Sequence, residues 1–152
     1  MASAGNCEFS NIAINPLAAD KYDIFQGGNG TVDVRFDNEK TAGKIEVFPD
    51  TPIYVSNSAS GADCTIEGGV WVRKDVYLSR DNTVLMAHEF SGSNDFLNFY
   101  DTQSCRKLGQ IDISSSNWTF DKGGISVVKQ GTGSQKRSTK VYALEEYCDR
   151  AK

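Results

Sequence analysis

The chain repeats one pattern three times, and this repeat restricts the folds that it can adopt. An aspartate-led turn closes a short strand-like run at Asp37, Asp81 and Asp121, so that the turns lie 44 and 40 residues apart. A cysteine follows each turn after a similar interval of 27, 24 and 27 residues. These cysteines are Cys64, Cys105 and Cys148. Self-similarity at a fixed period indicates an architecture built from repeated units.

The second repeat, from Asp75 to Ile113, shows the unit most clearly. It contains four short runs of strand-forming residues with turn signals between them. The runs cover residues 75–80, 83–90, 96–100 and 107–113. Four antiparallel strands in about 40 residues match one β-propeller blade. We therefore expect an all-β fold with about three repeats of short antiparallel strands and partial β-propeller-like packing; a β-sandwich or small barrel is the alternative.

The 152 residues are expected to form a single all-β domain, because this length suits one domain. Residues 1–30 would be an N-terminal arm, and the repeats would lie near residues 31–70, 71–113 and 114–152. An ordinary closed propeller has four or more blades, and three units are too few for one. We therefore expect small twisted sheets that pack face to face around shared apolar residues.

The four cysteines predict two disulfide bonds and no metal site. They lie far apart in the sequence, none belongs to a Cys-x-x-Cys pair, and His88 is the sole histidine. Because Cys64, Cys105 and Cys148 occupy equivalent repeat positions, Cys7 must pair with one of them and the remaining two with each other. The repeat leaves open which cysteine pairs with Cys7. We expect no metal and no cofactor.

Composition and the N-terminus predict a periplasmic protein with a protein partner. The start from Met1 to Gly5 resembles an initiator methionine placed before the small-residue boundary of a removed signal peptide. Disulfides persist in oxidising compartments such as the periplasm. No run approaches 18 apolar residues, so no membrane span is expected. The net charge of −4 gives a nucleic-acid partner little electrostatic support and suits a cationic protein.

The sequence lacks the residue patterns of the common hydrolytic sites. Acyl transfer needs a serine or cysteine beside a histidine, and His88 lies in the middle of a predicted strand. Carboxylate pairs such as Glu89 with Asp95 or Asp101 are expected by chance among 20 acidic residues. We therefore expect a binding protein and not an enzyme.

The loop between the second and third strands of the middle repeat is the candidate partner-binding segment. It consists of Ser91, Gly92, Ser93, Asn94 and Asp95. Small hydroxyl and amide side chains can enter a narrow cleft and hydrogen-bond there, while Phe90 and Phe96 at the base stiffen the loop. Aligning the repeats places this loop on the same side of the molecule as loops 56–63 and 131–138. An ordinary hairpin connection is the alternative.

An all-β chain of this length with a trimmed N-terminus, paired cysteines and Ser/Gly-rich loops resembles the periplasmic immunity proteins that protect bacteria from type VI secretion peptidoglycan amidases. The resemblance implies a non-enzymatic inhibitor with a loop that enters the Cys-His cleft of the effector. It implies the blocking role for Ser91, Gly92, Ser93 and Asn94.

Two other binding functions are alternatives. Some periplasmic lysozyme inhibitors use a Ser-Gly-x-x-Tyr loop, but here Ser91-Gly92 is followed by Ser93-Asn94-Asp95, without the tyrosine. A lectin-like or peptide-binding module would present exposed aromatic residues, including Trp71 and Trp118, as a stacking platform.

Overall fold

A computed structural model describes residues 7–19, 21–38, 45–121, 123–129, 131 and 137–151. Within these ranges the chain forms twelve strands and one short helix, which confirms the all-β prediction. The elements are β1 (Phe9–Asn11), β2 (Asn15–Ala18), β3 (Lys21–Gly28), β4 (Val32–Asp37), β5 (Val47–Asn57), β6 (Ala62–Ser79), β7 (Val84–Ser91), β8 (Asn94–Asp101), β9 (Lys107–Asp112), β10 (Ser116–Asp121), β11 (Gly124–Lys129), β12 (Ser138–Ala143) and α1 (Glu145–Arg150). The start from Met1 to Gly5 lies outside the described residues, as does most of loop 131–138.

The strands form two antiparallel sheets. In the larger sheet β2 to β9 follow each other in sequence order, and β1 pairs with β6. In the smaller sheet the order is β10-β11-β12. Residues 9–28, within the segment expected to be an arm, form β1, β2 and β3 and belong to the larger sheet.

The 18-residue strand β6 belongs to two layers of the fold. Its first part pairs with β5 from Ala62 to Val72, and its last part pairs with β7 and with β1. The pairing with β7 is interrupted between Trp71 and Val76, where β6 has three residues more than its partner strand. Such a bulge bends a strand and increases its local twist. We call β2–β5 with the start of β6 the first layer, and β1, β7–β9 and the end of β6 the middle layer.

The third layer, β10–β12 with α1, covers the other face of the middle layer. Successive residues of a strand point to opposite faces, and β7 follows this rule. Leu85 and Ala87 belong to the core shared with the first layer, whereas Val84 and Met86 belong to the core shared with Ile125 of the third layer. The middle layer is therefore buried on both faces, and the three layers pack face to face as predicted.

Two disulfide bonds connect these layers and resolve the pairing that the repeat left open. Cys7, just before β1, is bonded to Cys148 in α1. Cys64 in β6 is bonded to Cys105 in the turn after β8. The first bond joins the two ends of the described chain, and the second joins the first layer to the middle layer.

The β5–β6 and β7–β8 turns lie at opposite ends of the middle layer, so the prediction that they share one side was wrong. Asn57 Nδ2 donates a hydrogen bond to Thr102 Oγ1 (3.1 Å), and the Cys64–Cys105 disulfide lies beside it. Thr102 follows the end of β8, whereas the β7–β8 turn precedes its start; a strand of eight residues spans roughly 23 Å. The reason is the bend in β6, which folds the first layer back along the middle layer.

Candidate functional site

The predicted binding loop is a tight two-residue hairpin turn between β7 and β8. Ser91 pairs with Asn94 as the last cross-strand pair, and only Gly92 and Ser93 connect the strands. Gly92 has φ of +64°, and no positive φ occurs at Ser93. A positive φ at the first turn residue alone is the pattern of a type II′ turn, which favours glycine there. Three residues of the predicted loop, Ser91, Asn94 and Asp95, therefore lie in strands.

The tip of this hairpin projects into solvent. Residues 91–94 are all exposed, whereas Asp95 is half-buried. A Cβ atom built on Gly92 would meet no other atom within 4 Å. The four residues to which the blocking role was assigned are therefore accessible together on one narrow projection.

Asp95 holds the base of the turn to the segment between β9 and β10. Its main-chain N–H donates to Ser114 Oγ (2.9 Å), and its carbonyl accepts from the N–H of Ile113 (2.9 Å). Its carboxylate contacts Nε2 of His88 at 2.9 Å. Asp95 is thus a structural partner within the molecule and differs from the exposed residues that precede it.

His88 lies between two carboxylates below the turn. Its Nδ1 is 2.8 Å from Asp75 Oδ2 on β6, and its Nε2 faces Asp95 on β8. The side chain of His88 is 11% exposed. Burial of the ring favours the neutral form, but the hydrogen bonds and charges of the two aspartates outweigh burial and raise the pKa of His88 above its ordinary value. Both ring nitrogens are occupied by carboxylates, so neither is placed to take a proton from a nucleophile.

The two phenylalanines at the base of the hairpin are both half-buried. Phe90 pairs across the strands with Asp95, and Phe96 pairs with Glu89. The ring of Phe90 lies 5.1 Å from the imidazole of His88, centroid to centroid. Phe90 therefore packs against the histidine that contacts Asp95.

An open groove of about 420 Å³ lies beside the turn. His88 and Asp95 line one side of it, and residues 115–118 line the other. Trp118 at its end is half-buried and packs edge-on against Tyr77, at 6.0 Å between ring centroids. Trp71 is 1% exposed, and its Nε1 donates to the carbonyl of Thr51. Trp71 therefore cannot form the stacking platform of a lectin-like module.

Sequence reasoning found the turn but missed the cluster that supports it. Asp75 and His88 are 13 residues apart, and the bulge in β6 decides which residues of β6 and β7 face each other. Among the described residues no group of three or more histidine, cysteine or acidic side chains could hold a metal ion. In the same ranges, no helix has the length and apolar character needed to cross a membrane.

Comparison with known proteins places the chain in a family. The family model described as "Immune protein Tsi1" matches residues 7–148, a segment that begins and ends at the cysteines of the Cys7–Cys148 disulfide. A curated protein of Pseudomonas aeruginosa named "Immune protein Tsi1" is 35% identical, with an alignment that covers 99% of this chain and 90% of that protein. These matches confirm the resemblance to immunity proteins, and the chain belongs to the Tsi1 family of immune proteins.

Proposed function

We propose that this protein is a non-enzymatic periplasmic immunity protein, which neutralises a type VI secretion effector of the peptidoglycan amidase class by filling its active-site cleft with the Gly92–Ser93 turn. Membership of a family of immune proteins supports a protein partner that is to be neutralised. The observation that carries the proposal is the exposed two-residue turn on a hairpin with a firmly held base.

The shape of the turn suits a cleft. Paired strands lie about 4.8 Å apart, so a hairpin that ends in two small residues is narrow enough to enter an active-site groove. Ser91 and Ser93 add hydroxyl groups that both donate and accept hydrogen bonds. A hydroxyl presents no carbonyl carbon to a nucleophilic thiolate, so it can occupy the substrate position without forming an acyl-enzyme.

The support beneath the turn suits tight binding. Immobilising a flexible side chain on association costs about 0.5–1.5 kcal/mol. Asp95 is already held by His88, Ile113 and Ser114 in the free protein, so less of this cost remains when a partner binds. The hairpin is thus ordered for binding before it meets the effector.

Charge and redox chemistry agree with the proposed setting. The net charge of −4 favours association with a cationic enzyme and speeds the encounter. The two disulfides suit the oxidising periplasm, where an effector that attacks the cell wall acts.

Inhibition of purified enzymes tests the proposal. The oxidised protein is titrated into a peptidoglycan amidase effector that degrades isolated cell wall, and activity should fall to zero at one equivalent. The variant Ser93→Trp widens the tip and should abolish inhibition. The matched control Ser60→Trp changes an exposed serine in the β5–β6 turn, at the opposite end of the middle layer, and should inhibit normally.

Two results would contradict the proposal. Full inhibition by the Ser93→Trp variant would exclude the turn as the blocking element. Inhibition of lysozyme in a parallel assay, with no effect on the amidase, would replace the proposed target with a muramidase.

A further inference from the structure

The contacts of His88 favour its protonated state. Nδ1 lies 2.8 Å from an oxygen of Asp75 and Nε2 lies 2.9 Å from an oxygen of Asp95. An ionised carboxylate only accepts hydrogen bonds, so each ring nitrogen must donate one. The imidazolium has two N–H groups, whereas the neutral ring has one. With both carboxylates ionised, these contacts favour the charged ring.

The imidazole ring of His88 connects side chains from three strands. Asp75 lies near the end of β6, and His88 is in the middle of β7. Asp95 is the second residue of β8, three positions after Gly92. The main chain of Asp95 is also bonded to Ser114, so this residue links the base of the turn to His88 and to the segment between β9 and β10.

We propose that His88 is a positioning residue, whose protonated ring holds Asp95 and thereby the Gly92–Ser93 turn in the orientation that binds the partner. We call Asp75, His88 and Asp95 the aspartate–histidine clamp. The inference rests on the proposed function of the turn, and it adds a pH dependence to that function.

Within the clamp, the imidazole ring of His88 is the group that titrates near neutral pH. Asp75 from β6 and Asp95 from β8 are the ion-pair partners of the ring among the described residues. Residues 115–118, which line the groove beside it, include no titratable side chain. Tyr77 has its pKa raised, first by burial and then by the charge of Asp75, so it stays neutral in this range.

Deprotonation of His88 removes one of its two N–H donors, so the ring loses its hydrogen bond to one of the two aspartates. The bare nitrogen then faces a carboxylate, lone pair to lone pair, and the two groups separate. The side chain of Asp95 is 25% exposed and that of Asp75 is 12% exposed, so Asp95 exchanges its partner for water more easily. The turn therefore loses its side-chain restraint as pH rises through the pKa of His88, and it regains the restraint on acidification.

Nuclear magnetic resonance of the free ¹⁵N-labelled protein between pH 5 and 9 tests the clamp without a partner. The ring nitrogens of His88 and the amide of Gly92 should titrate with one shared midpoint above about 6.5, the ordinary value for histidine. The variant His88→Gln should abolish the Gly92 transition. The variant Asp95→Asn, which keeps the shape but removes the charge, should lower the midpoint. Asp63→Asn, an equal charge change at an exposed site in the first layer, should leave it unchanged.

The inference would be overturned if the chemical shift of the Gly92 amide did not titrate together with the His88 ring. It would also be overturned if that shift had the same pH dependence in the His88→Gln variant. Affinity for the amidase effector gives the second readout. The affinity should be about two- to tenfold weaker above the midpoint than below it, because this range corresponds to the cost of ordering one side chain. In the His88→Gln variant the affinity should be the same on both sides of that pH.

The two proposals fail separately. Shared titration in the free protein without binding at any pH would refute the proposed function and leave the clamp intact. Binding by the turn with no change across the His88 transition would refute the positioning role alone.

Discussion

Replacement of Gly109 by alanine should force the C-terminal helix away from the middle layer. Gly109 on β9 pairs with Phe99 on β8, and the ring of Tyr147 from α1 stacks on Phe99 at 3.8 Å and an interplanar angle of 2°. A Cβ atom at position 109 would overlap Cε1 of Tyr147 and would lie 3.0 Å from Nη1 of Arg150. Carbon atoms pack at about 3.5–4.0 Å, so the ring must retreat by about 1 Å.

The cost of this substitution follows from the burial of the ring. Tyr147 is 5% exposed and Cys148 beside it is held by the disulfide to Cys7, so the helix cannot swing away freely. Extra atoms in a packed core typically cost about 1–3 kcal/mol, and we expect about 2 kcal/mol for Gly109→Ala. In a Tyr147→Leu background the obstacle is gone, and the same substitution should cost less than about 0.5 kcal/mol.

Urea unfolding of the four proteins of this double-mutant cycle measures the coupling directly. Gly68→Ala is the matched control, because a Cβ atom there would have its nearest neighbour at an ordinary 3.6 Å. The control should leave the free energy of unfolding unchanged or raise it slightly, since alanine is preferred over glycine in a strand. An equal cost of Gly109→Ala in both backgrounds would refute the steric explanation.

Two further predictions concern stability. The partners of the Cys7–Cys148 disulfide are 141 residues apart and those of Cys64–Cys105 are 41 apart, so loss of chain entropy gives a stabilisation of about 5 kcal/mol for the first and about 4 kcal/mol for the second. Denaturant titrations should therefore show a larger loss of stability when the Cys7–Cys148 pair is replaced by alanines than when the Cys64–Cys105 pair is. The reverse order would contradict this chain-entropy explanation. Because the folded-state pKa of His88 is raised, its stabilisation is complete below the unfolded-state value near 6.5 and is lost as pH rises through the folded-state pKa. Unfolding free energies between pH 6 and 9 should therefore decline in the native protein relative to His88→Gln, and parallel curves would refute this.

The strands of the middle layer could be predicted because their local signals agree. Alternating apolar residues and turn residues placed a strand at residues 83–90 and another at 107–113, and β7 and β9 occupy nearly the same positions. Such signals depend on near neighbours in the chain, which the sequence displays directly.

The length of β6 could not be predicted from the same signals. Gly68 and Gly69 both lie inside β6, although glycine weakens the interior of a strand. A Cβ atom at Gly69 would overlap the carboxylate of Glu89, so glycine here makes room for a side chain of the neighbouring strand. The expected boundary between repeats near residues 70 and 71 falls within this strand.

The candidate site was partly visible in the sequence. The five turn-forming residues 91–95 marked the hairpin, but their composition could not show that cross-strand pairing leaves only Gly92 and Ser93 in the turn. The clamp was hidden because the register across the β6 bulge brings Asp75 to His88. Disulfide pairing was hidden for a similar reason, since it depends on how the layers stack.

Amide hydrogen exchange of the protein, alone and in complex with a peptidoglycan amidase effector, tests the blocking role of the turn most directly. We predict slower exchange in the complex at Gly92, Ser93 and Asn94, with no change in the β5–β6 turn at residues 58–61. Protection at residues 58–61 without protection at the β7–β8 turn would show that the opposite end of the molecule binds the effector, and it would contradict the proposed mechanism.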